Sequence, residues 1–195
     1  MSRMLSRFAV PVLALVLFCG CSPHGMRVRL EVFLLSLMDD GDTVQYAKIS
    51  EDLTARSVDP DGAARELAQP HGVPVLLHST SWRWEQDGTI VLTYLAYFER
   101  LDAGGLRPVS LPRNALAPPP PTDPQRPRPT VIREQDVLAH GIRHLGFLVR
   151  YARDERILAA LSPRSLSFFR ALCGQLAGRF ESAREFVECT AVDAR

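Results

Sequence analysis

The chain is expected to fold as α+β, with an antiparallel or mixed sheet from residues 27–111 packed by C-terminal helices. Three observations carry this expectation. Two-residue alternation of apolar and polar side chains dominates residues 27–111, whereas helical spacing dominates beyond residue 130. Strands first and helices last is the order of α+β rather than of a doubly wound parallel sheet, where the two alternate. Finally, 195 residues at 46% hydrophobic and 23% charged suffice for one domain with its own core.

Arg27 to Leu37 alternates Val28, Leu30, Val32 and Leu34 with more polar neighbours, and Thr43 to Ile49 is again strand-like. Asp40-Gly41 between them suits a two-residue turn, because both central positions of a type I′ turn need positive φ. The nearby aspartates lack the later ligands and closing Glu of a calcium loop, so they are expected to be turn residues. VDPDGAARELAQ, residues 58–69, predicts one short helix that ends before Pro70.

Leu76 to Phe98, LLHSTSWRWEQDGTIVLTYLAYF, predicts a second hairpin around Asp87-Gly88. A two-residue turn there sets Trp84 opposite Val91, Trp82 opposite Thr93, Thr80 opposite Leu95 and His78 opposite Tyr97, all on one face. Ile90 to Phe98 is apolar on both faces and is expected to be an interior strand. Gly104 to Leu111 is a further candidate strand.

Residues 117–130 hold seven of the fifteen prolines and are expected to form an extended polyproline II connector. Its PxxP spacings are taken as spacer rather than ligand. Beyond it, Gln135 to Arg153 has helical spacing, and Ser162-Pro163 supplies an N-cap and first position for a further helix through Leu166, Phe169 and Leu172. Residues 27–195 thus form a single α+β domain.

The first 21 residues have a different character. Arg3 and Arg7 precede an almost wholly apolar run from Phe8 to Cys19, followed by Gly20 and Cys21, which is the order of a secretory signal. The run is too short to cross a bilayer, which takes ~20 residues. Phe18-Cys19-Gly20-Cys21 resembles the lipobox of bacterial lipoproteins, although Phe18 and Cys19 stand where that pattern usually has Leu and a small residue. The resemblance implies a signal peptide over residues 1–20, lipidation of Cys21, and attachment of the body to the membrane of the cell envelope. A rival reading starts the protein at Met26, in the cytosol. After cleavage at Cys21, Cys173 and Cys189 would remain, too few for a disulfide framework or a zinc quartet.

Charge excludes one class of partner. The net charge is +1, with 22 Arg and one Lys, so there is no global field for nucleic acid. The charges divide unevenly: residues 27–125 carry 9 basic and 14 acidic side chains, residues 126–195 carry 12 and 8.

Candidate chemistry centres on histidine. His140 and His144 are one helical turn apart and fall with Phe147 and Tyr151 on a flank between an apolar arc and a polar arc that includes Ala139, Arg143 and Gly146. That spacing can place two imidazoles on one metal, but Gly141 stands where an HExxH zinc helix has its glutamate. The rival cytosolic protein would be a metal-dependent hydrolase using this pair. His78-Ser79-Thr80 is the sole His-x-Thr/Ser motif, so a two-histidine phosphoesterase fails on count. GxSxG, Ser-x-x-Lys, a phosphate-cradling Gly loop, a dinucleotide fingerprint and a Nudix-type glutamate helix are all missing from the sequence. A helix packed across the His78 face is expected to bring His78, Trp82, Tyr97, His140 and His144 around one aromatic pocket. Arg83, on the opposite face of the hairpin, is free to pair with an acid of the N-terminal half. No catalytic residue, cofactor or metal is specified, and the small-molecule or protein partner stays open.

Overall fold

In the computed structural model the described residues are 27–53, 59–117, 131–152 and 155–172. The signal-like segment with Cys21, Met26, residues 118–130 of the connector, the side chain of Tyr151, Cys173 and Cys189 lie outside them.

Strands β1 (Val28–Leu37) and β2 (Thr43–Leu53) form the first hairpin, and β3 (Leu76–Trp84) and β4 (Ile90–Phe98) the second. The hairpins join through β1 and β4, which run parallel with Val28 beside Ile90 and Ser36 beside Phe98. β5 (Val109–Pro112) adds antiparallel to β2, so the five-stranded mixed sheet has the order β3-β4-β1-β2-β5. β4 is interior and buried on both faces from Thr93 to Phe98, with Ile90 and Leu92 half-buried at its start.

The first hairpin has the register a two-residue turn would set, with Leu37 opposite Val44, but its loop is wider. Met38 N–H bonds Thr43 O, and residues 39–42 lie between them. The Asp40 carboxylate accepts from the backbone N–H groups of Asp42 and Thr43 and from the Thr43 hydroxyl, which holds the four-residue loop without a tight turn.

The second hairpin departs from its expected register twice. Glu85 N–H bonds Thr89 O and Gly88 N–H bonds Glu85 O, so the loop has three residues, with Gly88 at φ 80°. Trp84 therefore faces Ile90 and Trp82 faces Leu92, one residue away from the expected partners. A bulge between Ser79 and Ser81 then shifts the ladder by one more residue, placing Ser79 opposite Tyr94 and His78 opposite Leu95 rather than Tyr97. Because side chains alternate faces, the extra residue puts His78 and Trp82 on opposite sides of the sheet.

One sheet face packs under α2 (Glu134–Phe147) and α4 (Pro163–Ala171): Phe33, Leu35, Leu95 and Tyr97 meet Leu138, Ile142, Leu145 and Phe169. The other face packs under α1 (Pro60–Ala68), where Leu30, Val32, Leu34, Tyr94, Ala96 and Phe98 meet Ala64 and Ala68. α1 is capped by Asp59, whose side chain accepts from Asp61 N–H, and it starts at Pro60, inside the residues 58–69 expected to be helical.

α2 sits close to the sheet because Gly141 faces it. A Cβ there would lie 2.9 Å from Leu95 Cδ1. The arc of α2 expected to face solvent is also covered, since α4 and the 3₁₀ segment Arg113–Leu116 lie over it. Ala139, Arg143 and Gly146 are accordingly buried. Arg143 Nη1 donates to Leu116 O at 2.5 Å, and burial lowers the pKa of its guanidinium. The α-helix stops at Phe147 and continues as a π turn, Leu148–Ala152, before α3 (Glu155–Ala160). Leu145 and Val149 stay buried across that change, so hydrophobic spacing does not register it.

α4 begins where Ser162 caps it, its hydroxyl accepting from Ser165 N–H at 3.2 Å. Glu99, just after β4, accepts from Ser162 N–H and from both serine hydroxyls. The helix start is thereby tied to the end of the central strand.

Candidate functional site

The bulge in β3 aims His78 into the space beneath α2. There its ring lies against that of His144, with centroids 5.2 Å apart and planes 14° from parallel. Phe147 flanks His144 at 6.4 Å. Both imidazoles have pKa values below the ordinary range: burial disfavours the charged form of each, and for His78 the neighbouring His144 adds to it. His78 Nε2 is buried and has no hydrogen-bond partner.

His140, one turn earlier on α2, is half-buried, and burial followed by Arg143 and His144 lowers its pKa. Tyr97 shares the same sheet face but turns toward α4. Its hydroxyl meets Ser165 Oγ at 2.6 Å, and its ring packs edge-on against Phe169 at 5.4 Å. Trp82 is on the far side of the sheet. Of the five residues expected around one pocket, the structure stacks His78 on His144, leaves His140 beside them, and sends Tyr97 and Trp82 elsewhere. A recess of about 320 Å³ opens instead beside α4, lined by Arg150, Pro163, Ser167, Arg170 and Ala171.

Stacking limits what the two imidazoles can do. The lone pairs of an imidazole lie in its ring plane, so two nearly parallel rings do not direct them at a common point, as a shared metal would need. Among the described residues no group of three or more His, Cys, Asp or Glu side chains is placed to hold a metal ion. In this arrangement the pair acts as a neutral, partly polar contact between α2 and the sheet.

A second polar cluster lies on the same sheet face toward the second hairpin loop, and of its members only Arg83 was expected to form an ion pair. Arg83 Nη2 donates to both carboxylate oxygens of Glu31 at 2.9 Å, and Arg83 Nη1 to the buried Thr93 hydroxyl. Lys48, the one lysine of the chain, bridges Glu31 at 3.9 Å and Glu134 at 2.6 Å. The three-residue hairpin loop, which sets Arg83 opposite Val91, brings Arg83 to this face. Its partner is an acid of the N-terminal half, as anticipated, although from the other side of the hairpin. The available signal was in β1, where Glu31 shares the parity of Phe33 and Leu35 and so is a charge on a core-facing position.

No family model matches the chain, and no curated protein matches it. Among solved structures it is similar to a MutT/nudix family protein from Enterococcus faecalis, with 9% identity and a TM-score of 0.44 over 97% of this chain and 84% of that one. Likeness at that level has no bearing on activity.

Proposed function

We propose that this protein is a lipid-anchored binding or interaction module of the bacterial cell envelope, tethered to the membrane through Cys21. The observation that carries the proposal is the order of features at the start of the chain: Arg3 and Arg7, the apolar run from Phe8 to Cys19, then Gly20-Cys21. Support from the body is that the titratable side chains at its two polar clusters are engaged in stacking and ion pairing. His78 stacks on His144, and Glu31 is bound by Arg83 and Lys48. No described helix is long and apolar enough to cross a membrane.

The test is the intact mass of the protein extracted from its own membranes. The expected species begins at Cys21 and carries the added mass of a diacylglyceryl group. A species that begins at Met26 without lipid would sink the proposal and favour the cytosolic protein. For that rival, zinc binding abolished by His140→Ala and His144→Ala would be the supporting result.

A further inference from the structure

We infer that Trp82 and Trp84 form a membrane-docking edge, which seats the body on the same phospholipid surface that holds the lipid anchor. The inference rests on the anchor at Cys21 and adds to it an orientation. Trp82 and Trp84 are 64% and 59% exposed, on the edge strand β3. They are also the two tryptophans of the chain. Both project to the α1 side of the sheet, opposite Leu92 and Ile90.

Among the described residues, helix α1 does not extend over that end of the face, where Ile90 and Leu92 are half-buried. Its first turn reaches Tyr94, whose hydroxyl donates to Asp61, and the chain that follows it reaches Phe98, which lies 3.8 Å from where a Cβ on Gly72 would be. The rows at Leu92 and Ile90 lie beyond the helix start. Across the sheet, the Trp84 row continues through Ile90 and Val28 to Leu53, all partly exposed.

The tether emerges at this row. Val28 opens β1, and five residues separate Arg27 from Cys21, a reach of at most ~20 Å. Trp84 is two strands away from Val28, roughly 10 Å across the sheet. An acyl chain on Cys21 therefore brings this edge, rather than the opposite end of the strands, within reach of the headgroups. Indole suits that depth because it combines a large apolar ring with one N–H donor.

Nearby charges are largely matched: Arg27 with Asp87, and Arg29 with Asp52 and Glu85. Docking should therefore come from indole insertion and not require anionic lipid, in contrast to a polybasic surface.

The experiment uses the full chain recovered from membranes, reconstituted into phosphatidylcholine vesicles with and without brominated acyl chains. All tryptophan emission reports on this edge. The expected result is emission shifted to the blue and quenched by the brominated lipid, with little change when phosphatidylglycerol is added. Trp82→Ser and Trp84→Ser variants should each retain a quenched signal from the remaining indole. If the mass confirms acylation but emission stays water-like and unquenched, the docking edge is overturned while the anchor stands. If the chain is unacylated, the same vesicles are titrated against it, and saturable quenching keeps the edge whereas a flat trace overturns it. Indoles shielded from aqueous acrylamide yet untouched by brominated lipid would assign the edge to a protein partner and equally overturn membrane docking.

Discussion

His78 and His144 lie face to face across the seam between β3 and α2, and neither gains from carrying a proton. Protonating one would bury a charge, and protonating both would set like charges against each other. Their pKa values, and that of His140, are lowered from 6.5. In the unfolded chain the same groups take up protons at the ordinary value, so on acidification the unfolded state binds protons first. Stability is fully present above that value and is lost as pH falls through it toward the lower folded values. The urea midpoint should fall between about pH 7.5 and about pH 5.5. His144→Phe keeps a flat ring against His78 and removes one titrating group, so its midpoint should fall less. A parent midpoint independent of pH over this range would count against a neutral stacked pair.

The tip of the second hairpin offers a purely local test. Gly88 has φ 80°, and no atom lies within 4 Å of where its Cβ would be. Any cost of a side chain there is conformational and not steric. Gly88→Val should destabilise by about 1–2 kcal/mol, because a β-branched residue resists positive φ. Gly88→Asn should cost less, since Asn tolerates that region. Equal denaturant midpoints for Val and Asn would contradict the left-handed conformation.

Gly146 makes a contrasting case. A Cβ there would stand 3.0 Å from Phe169 O and 3.1 Å from Leu172 Cβ. Ala normally favours a helix over Gly by about 1 kcal/mol, so a solvent-facing Gly146→Ala would stabilise. Against a backbone carbonyl of α4 the sign should reverse, with a net loss of about 1–2 kcal/mol by overpacking. A thermal melt of the variant decides which face of α2 this residue occupies.

The difference between those glycines marks how far the sequence was legible. Period-two and helical spacing located the strands, α1, α2, α4 and the interior position of β4, because those patterns record burial directly, but they missed α3. The Ser162-Pro163 cap and the short helix at 60–68 were legible because capping is local chemistry. Register was legible in the first hairpin but not in the second. There a three-residue loop and a bulge at Thr80 each shift the ladder by one, and no residue type in Ser79-Thr80-Ser81 announces which of them is extra. That ambiguity is why His78 and Trp82 were expected to share a pocket. The buried arc of α2 was illegible for another reason: Arg143 looks like a solvent residue until Leu116 O is brought to it by a segment 27 positions away.

Glu31 and Arg83 permit the sharpest energetic test. The Glu31 side chain is 8% exposed and that of Arg83 25%, so the carboxylate depends more on the pair than the guanidinium does. Arg83→Leu would leave Glu31 with Lys48, whose nitrogen is 3.9 Å away, as its remaining cation. The loss should be about 2 kcal/mol, below the value for fully buried pairs because water reaches the vacated side. Glu31→Leu should cost about 1 kcal/mol, since Arg83 is more open to solvent and keeps Glu85 at 3.5 Å. With both replaced by Leu, no buried charge is stranded and an apolar pair fills the face beside Thr93. The double variant should therefore lie within about 1 kcal/mol of the parent, leaving a coupling energy of at least about 2 kcal/mol. Urea midpoints of the four proteins close the cycle. Additive losses would mean that the two side chains act independently and that Glu31 is solvated by other means.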